Sequence, residues 1–241
     1  MDKLFQVRVL AQTPSPQTLI YAALHQDYSE NFVWNDRDSF PSEQRCGEIA
    51  VDRLLKGGRG HYGPFEHPQI SFNCGYFPHG VVQQARTHRI GTTWDVQSMR
   101  FSGKRVVDTV NGDRDFNSVF YLRPVGSYAD RAGKKYDYTA SDRFDHRRLC
   151  RQAAIAYAEA MENGISEEHA RGILPFDYRQ HFVVSFNARS LMHFLDLRLK
   201  KDAQLEIQQL CELILPHFKG WMPEIAQWYE SNRLGKGRLA P

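Results

Sequence analysis

Residues Gln180–Arg198 read QHFVVSFNARSLMHFLDLR. The first half, Gln180–Phe186, is β-branched and aromatic and reads as a strand. From Asn187 to Leu199 the pattern is that of a helix. Along the chain such strands are few and dispersed among many helical segments. That distribution predicts an α+β fold: a single domain over residues 1–241, with a small, mostly antiparallel sheet packed against several helices. The same stretch carries two arginines, Arg189 and Arg198. Arg198 lies between Leu197 and Leu199, and burying an unpaired guanidinium is costly, so it sits at the surface or faces something it neutralises. Arg189 and His193 are four apart and share a helix face. Arg198 is nine beyond Arg189, about half a turn away in direction. One straight helix does not aim both at one small spot, so they are expected to serve different parts of an extended ligand pair, or sites shared between subunits.

A second cationic stretch lies upstream. Gln83–Arg105 places Arg86, His88, Arg89, Arg100, Lys104 and Arg105 in one segment, opposed only by Asp95. Thr87, Thr92, Thr93, Gln97 and Ser98 stand between the cations. A plain surface helix mixes Lys and Glu at i,i+4 spacing. This segment reads instead as an anion cradle, with arginine forks for phosphate and neutral donors that fix orientation. On its own it is equally compatible with a basic surface loop. The net charge of the chain is only +3, so the basic character is local and points to a site rather than a polyanion-binding coat. The four cysteines (Cys46, Cys74, Cys150, Cys211) lie far apart with no C-x-x-C pair, and are expected as reduced, buried thiols. The start, MDKLFQVRVLAQ, lacks the apolar run of a signal peptide, and no run approaches the ~20 residues of a membrane span. A cytoplasmic protein with no membrane or nucleic-acid partner is the expectation.

The remaining elements follow from spacing. Lys3–Gln12 alternates as a strand, and Gln17–Gln26 is a helix with Pro16 in its first turn. Asn31–Phe40 reads as a loop, and Ser42–Lys56 as a helix stopped by Gly57-Gly58. Gln69–Tyr76 is a strand. Pro78 opens a helix expected to run to Arg89, with Gly91 as its breaker, and Thr92–Phe101 is loop or short extended structure. Phe116–Arg123 reads as a strand and Val125–Tyr138 as a loop or arm. Thr139–Glu162 is the longest helix, opened by a capping box with Asp142 in place of Glu. A further helix begins at Ser166 and ends at Pro175. Ala203–His217 and Met222–Ser231 are the last two, and the tail GKGRLAP is expected to fray. The glycine run GGRG, residues 57–60, lacks the strand-before, helix-after context of a dinucleotide-binding turn.

Gly60–Pro68, GHYGPFEHP, puts two histidines around a turn. They are structural, or ligands of a metal, or contacts to a polar ligand. A metal reading needs more donors in reach, such as His79 or His88, and nothing like H-E-x-x-H is present. No metal ligand is assigned.

Four blocks in order resemble the flavin-dependent thymidylate synthase family. GHYGPFEH is similar to its G-H-x-T-P-F-E-H. THR, eight residues, then SMR is similar to its RHR, seven residues, S-x-R. ARGILP matches A-R-x-x-L-P, and NARSLMHFLDLR followed by AQLEIQ is close to VNARSLxNFLxLR-xxxAQxEIQ. The likeness spans Gly60 to about Gln209, and Ser102–Glu168 matches poorly. It implies conversion of dUMP to dTMP, with methylenetetrahydrofolate as carbon donor and FADH2, regenerated by NADPH, as hydride source. It also implies no enzyme nucleophile, and a homotetramer whose active sites are shared between subunits. Carried over, Gln84, Ser98, Met99, Arg100 and Arg171 would hold dUMP. Arg198 would join them as the catalytic group, favouring ionisation at N3 and so a more nucleophilic C5. His61, Gly63, Thr87, His88, Arg89, Asn187, Arg189 and His193 would contact FAD. The chain departs from the pattern at Gly63, Thr87 and His193, and in the longer spacer. Arg86 is placed to compensate for Thr87, though a helical step turns it by ~100°. Two other readings are a non-catalytic nucleotide or RNA binder, and a metal hydrolase using His61, His67 and His79.

Overall fold

The computed structural model describes residues 1–58, 60–130 and 132–236. The frayed tail expected at the C-terminus therefore lies outside the described residues from position 237, as does Arg59 of the GGRG run. Strand β1 (Gln6–Gln12) is followed by α1 (Pro16–Tyr28). Pro16 sits in the first turn of α1, where its missing N–H leaves no bond unmade. The Glu43 carboxylate accepts from the amides of Gln17 and Thr18, both at 2.8 Å, and so caps α1 from another element. The segment expected as loop contains a 3-10 helix, Val33–Ser39. Helix α2 (Glu43–Ala50) is capped by the Ser42 side chain and continues into a π turn, Val51–Leu55. Gly63–Glu66 is a 3-10 turn leading to β2 (Gln69–Pro78) and α3 (His79–Ala85).

Helix α3 is shorter than its sequence suggests. The backbone N–H and hydroxyl of Thr87 both fold back to the Gln84 carbonyl, at 3.3 and 2.7 Å. His88 and Arg89 therefore lie beyond the helix and not on its last turn. Next come β3 (Thr92–Val96), α4 (Met99–Ser102) and α5 (Lys104–Asn111). The strand expected at Phe116–Arg123 is a 3-10 turn, Phe116–Ser118, with a single bridge from Phe120 to Tyr178. The Asp115 side chain caps that turn by accepting from the Asn117 amide. Phe116, Val119 and Phe120 then recur at three-to-four spacing and are buried together, which suits a turn better than a strand. Val125–Tyr138 is mostly an antiparallel hairpin, β4 (Gly126–Ala129) with β5 (Lys135–Tyr138). Helix α6 (Ala140–Glu162) carries the expected capping box between Thr139 and Asp142. It is followed by α7 (Glu167–Ala170), β6 (Arg179–Asn187), α8 (Ala188–Arg198), α9 (Leu205–Trp221) and α10 (Pro223–Asn232).

The fold is α+β. Four strands form a sheet in the order β1-β2-β6-β3, and β4-β5 form a second. The chain makes two compact units. Of the described residues, one comprises those within 1–6, 74–87 and 95–182, the other those within 7–73, 88–94 and 183–236. In the first, α5 packs on α6 around Val106, Phe120, Ala154 and Tyr157. Gly103 is required there, because a Cβ would collide with the Tyr157 hydroxyl. In the second, α2 packs on α1 and α10, and α8 on α9. Phe186 and Phe194 meet at 5.1 Å between ring centroids in its core. Burial of each such side chain contributes about 1.5–3 kcal/mol. None of the four cysteines is in a disulfide, and all four are buried. Among the described residues no helix is long and apolar enough to cross a membrane.

Candidate active site

In the first unit, α3, the β3–α4 turn and the segment before β6 enclose a cavity of about 580 Å³. Two of the blocks distant in sequence meet here: Ser98 and Met99 from SMR, and Arg171 from ARGILP. Ser98 is the N-cap of α4, and its hydroxyl accepts from the Arg100 amide at 3.3 Å. That bond engages the hydroxyl as an acceptor in local structure, and among the described residues no histidine or carboxylate hydrogen-bonds to it. Arg86 lines the cavity as well. Arg86 is the C-cap of α3, still in helical conformation with its backbone N–H donating to the Val82 carbonyl at 3.0 Å.

One wall of the cavity is a hydrogen-bonded chain that sequence reasoning missed. His79 Nε2 meets the Gln83 amide nitrogen at 2.6 Å, and His79 Nδ1 meets Gln180 Oε1 at 2.5 Å. The Gln180 amide then donates to the Gln97 carbonyl at 3.1 Å. Nothing in local spacing links positions 79 and 180. Gln83 faces the cavity, whereas Gln84, the expected nucleotide contact, is not among its lining residues. Arg100 is also outside the lining. Its Nε pairs with Glu168 at 2.7 Å, with both side chains about half exposed, an arrangement worth little by itself. Thr87 is exposed at the helix end described above.

In the second unit the expected flavin residues come from three separated segments. Gly91, at φ 63, reverses the chain after His88-Arg89. Its bare Cα lies against Ser190 and Asn187, and a Cβ there would overlap both side chains. Asn187 caps α8, with Oδ1 accepting from the Ser190 amide at 2.8 Å. The Asn187 amide donates to the Gly91 carbonyl at 3.0 Å. The His88 carbonyl accepts from Thr92 Oγ1 at 2.7 Å and from the Trp94 indole at 3.2 Å. Its ring rests edge-on against Phe194 at 5.0 Å and lies 5.7 Å from His193. Arg198 donates from Nε to His88 Nε2 at 2.9 Å. Burial, then Arg198, then His193, push the His88 pKa down to about 4, so the ring is neutral at pH 7.

Arg189 reaches a different partner, as the half-turn between it and Arg198 requires. Its Nη1 pairs with Glu66 at 2.5 Å, and its guanidinium lies 5.9 Å from the Tyr62 ring centroid. The GPFEHP and NARS blocks are thereby joined, with the Ala188 amide also donating to the Pro68 carbonyl at 3.1 Å. Gly63 opens the turn, with no atom where a Cβ would project. His61 pairs with Asp27 at 2.8 Å and borders a cavity of about 730 Å³ together with Tyr21, His25 and Arg53. Arg89 is exposed. His61 and His79, two of the three histidines of the metal-hydrolase reading, belong to different units and have the separate partners given above.

A family profile described as thymidylate synthase complementing protein matches residues 8–224. The chain belongs to this family. Similar family members include the flavin-dependent thymidylate synthase of Haloarcula marismortui, 32% identical, with the match covering 98% of this chain and 99% of that one. The enzyme of the same name from Halobacterium salinarum is 30% identical over 98% of this chain and all of its own. Among solved structures, the UMP/dUMP methylase PolB from Streptomyces cacaoi, bound with 5-Br dUMP, shares the fold with a TM-score of 0.69 at 22% identity. That likeness covers 96% of this chain and 97% of PolB.

Proposed function

We propose that this family member catalyses the reductive methylation of dUMP to dTMP, taking the carbon from methylenetetrahydrofolate. The observation that carries the reading is the cavity in which Arg171, Ser98 and Met99 meet, joined by Arg86. Its two guanidiniums suit a phosphate, which arginine binds bidentately. The His79 chain offers polar groups for a sugar or base edge. Relatives are named flavin-dependent thymidylate synthases, and one structural neighbour is a UMP/dUMP methylase, which supports a uridine nucleotide as substrate.

The second unit suits a flavin dinucleotide. His88 is neutral with Nε2 occupied by Arg198, so its remaining proton is on Nδ1, a donor. Arg189 and Arg89 supply cations, and the open backbone at Gly63 admits close approach. Asn187 and His193 complete the expected set, Asn187 through the cap that fixes the turn. Arg189 and His61 are tied to Glu66 and Asp27 in the free protein, and an anionic group would displace those carboxylates. When bound, FAD reduced by NADPH supplies the hydride. Arg198 stabilises negative charge on the pyrimidine as N3 ionises, which raises electron density at C5. Half burial strengthens that effect, because a cation acts further where water is excluded.

No side-chain nucleophile is needed or prepared. Ser98 is engaged as a cap. Burial pushes the Cys74 thiol far up and the Cys150 thiol to about 12, and no cysteine lines the cavity. We assign the protein a homotetramer with shared active sites, in keeping with the opposed partners of Arg189 and Arg198. The test is a spectrum of the purified protein followed by dUMP-dependent NADPH oxidation. Flavin absorbance with oxidation that needs dUMP supports the reading. A protein that binds no added FAD and ignores dUMP overturns it.

A further inference from the structure

The first unit carries a cluster that the cavity does not use. His146 and Cys150 lie one turn apart on α6 and so share a face. Asp177, in the segment leading to β6, joins them with Oδ2 at 3.0 Å from His146 Nε2. One donor atom from each residue, an imidazole nitrogen, a thiol sulfur and a carboxylate oxygen, lies within 4.8 Å of the other two. The Tyr138 hydroxyl stands 3.1 Å from His146 Nδ1. Without an ion, Nε2–H donates to Asp177 and the Tyr138 hydroxyl donates to Nδ1; with an ion bound, the ring proton sits on Nδ1 and is donated to the phenol, which frees the Nε2 lone pair on the side where Cys150 and Asp177 lie. An outer partner that fixes the imidazole in this way is a usual feature of metal-bound histidines.

The ordinary alternatives explain less. A His146–Asp177 ion pair alone leaves the sulfur without a role. A Cys-His-Asp nucleophile needs an accessible thiolate, yet Cys150 is 1% exposed. Its thiol is also pushed up to about 12, mainly by burial and then by Asp177. A coordinating cation, by contrast, deprotonates a thiol outright. His146 and Asp177 are 32% and 30% exposed, which leaves an entry path from solvent. A mixed N, S, O set suits zinc-class ions rather than magnesium or calcium, which take oxygen ligands.

We infer that His146, Cys150 and Asp177 form a binding site for a zinc-class divalent cation, with a fourth position left for water. Binding replaces the Cys150 S–H bond with an S–metal bond and releases the proton to solvent, and no electron is transferred. The ion would pin α6 and the end of the β4–β5 hairpin to Asp177. The neighbours of Asp177, Phe176 and Tyr178, line the nucleotide cavity, so the ion would brace that wall.

Chelator-treated holoprotein titrated with Co2+ tests this. The expected result is one equivalent bound per chain, with tetrahedral d–d bands to the red of flavin absorption and a thiolate-to-cobalt transition. The transition should vanish in Cys150→Ser, and affinity should fall about 10–100-fold in Tyr138→Phe. Cys150 is a core residue, so Asp177→Asn, at a partly exposed position, serves if Cys150→Ser does not fold. Affinity in that variant should fall at least as far as in Tyr138→Phe. Absence of a tetrahedral Co2+ spectrum in the wild type overturns the site, as does an undiminished one in Cys150→Ser or Asp177→Asn.

Discussion

Arg198 donates its Nε proton to Nε2 of His88 across 2.9 Å. A guanidinium has no acceptor, so the imidazole must accept, and its own proton sits on Nδ1. The two residues are 110 positions apart in sequence, and Gly91 and Asn187 hold the turn that brings them together. The pair fixes both the direction of Arg198 and the protonation state of His88.

Arg198→Ala removes the cation assigned to the pyrimidine while leaving in place the side chains assigned to the flavin. Turnover should fall about 10²–10³-fold, the usual effect of deleting one preorganised donor, with flavin still bound. Steady-state kinetics and the visible spectrum check this together. A variant with near-normal kcat contradicts the assignment.

His88 makes stability depend on pH. Its folded pKa of about 4 lies below the ordinary 6.5, so the unfolded chain binds the proton more readily between those values. The contribution is complete above pH 6.5 and is lost as pH falls toward 4. The full shift is trimmed by solvent at this partly buried ring to about 1–2 kcal/mol. Urea unfolding at pH 7.5 and 4.5 should show His88→Gln losing less stability on acidification than the wild type. Equal slopes would rule out a neutral, depressed His88.

Arg171→Ala should weaken dUMP and spare flavin. A lost charge-assisted hydrogen bond costs about 1.5–3 kcal/mol, or about 10–150-fold in KM. Arg86→Ala should act in the same direction. Arg86 and Arg171 share the cavity, so their effects should not add simply. An unchanged KM in both variants removes the nucleotide from this cavity.

Gly91→Ala tests the turn. The positive φ and the overlap with Ser190 and Asn187 together should destabilise the protein by about 1–3 kcal/mol. Asn187→Ala should cost about 1 kcal/mol as a lost N-cap. Thermal unfolding reads both, and a Gly91→Ala protein as stable as the wild type refutes the close approach.

Local signals in the sequence carry the helices and their caps well. The Thr139–Asp142 capping box and the strand-to-helix passage at Asn187 appear in the structure as their spacing indicates. Elements decided by a cap that competes with composition do not. Phe116–Arg123 has strand-like content, but the Asp115 cap and the buried three-to-four spacing of Phe116, Val119 and Phe120 give a turn. Helix α3 stops early because Thr87 bonds back to Gln84, and Arg86, the last helical residue, lines the cavity. The site is legible only in part for the same reason. Blocks can be named from sequence, but the meeting of Ser98 with Arg171, of Glu66 with Arg189, and of His79 with Gln180 is set by tertiary packing across more than 70 positions.

The most direct test of the central claim is dTMP formation by the purified protein. It should be followed by mass spectrometry with dUMP, NADPH, FAD and methylenetetrahydrofolate labelled at the methylene carbon. Labelled dTMP should form, disappear when dUMP, NADPH or the folate is omitted, and persist when Ser98 is changed to alanine, though at raised KM. Failure to form dTMP by a protein that binds FAD and dUMP would contradict the claim, as would loss of all chemistry in Ser98→Ala with nucleotide still bound.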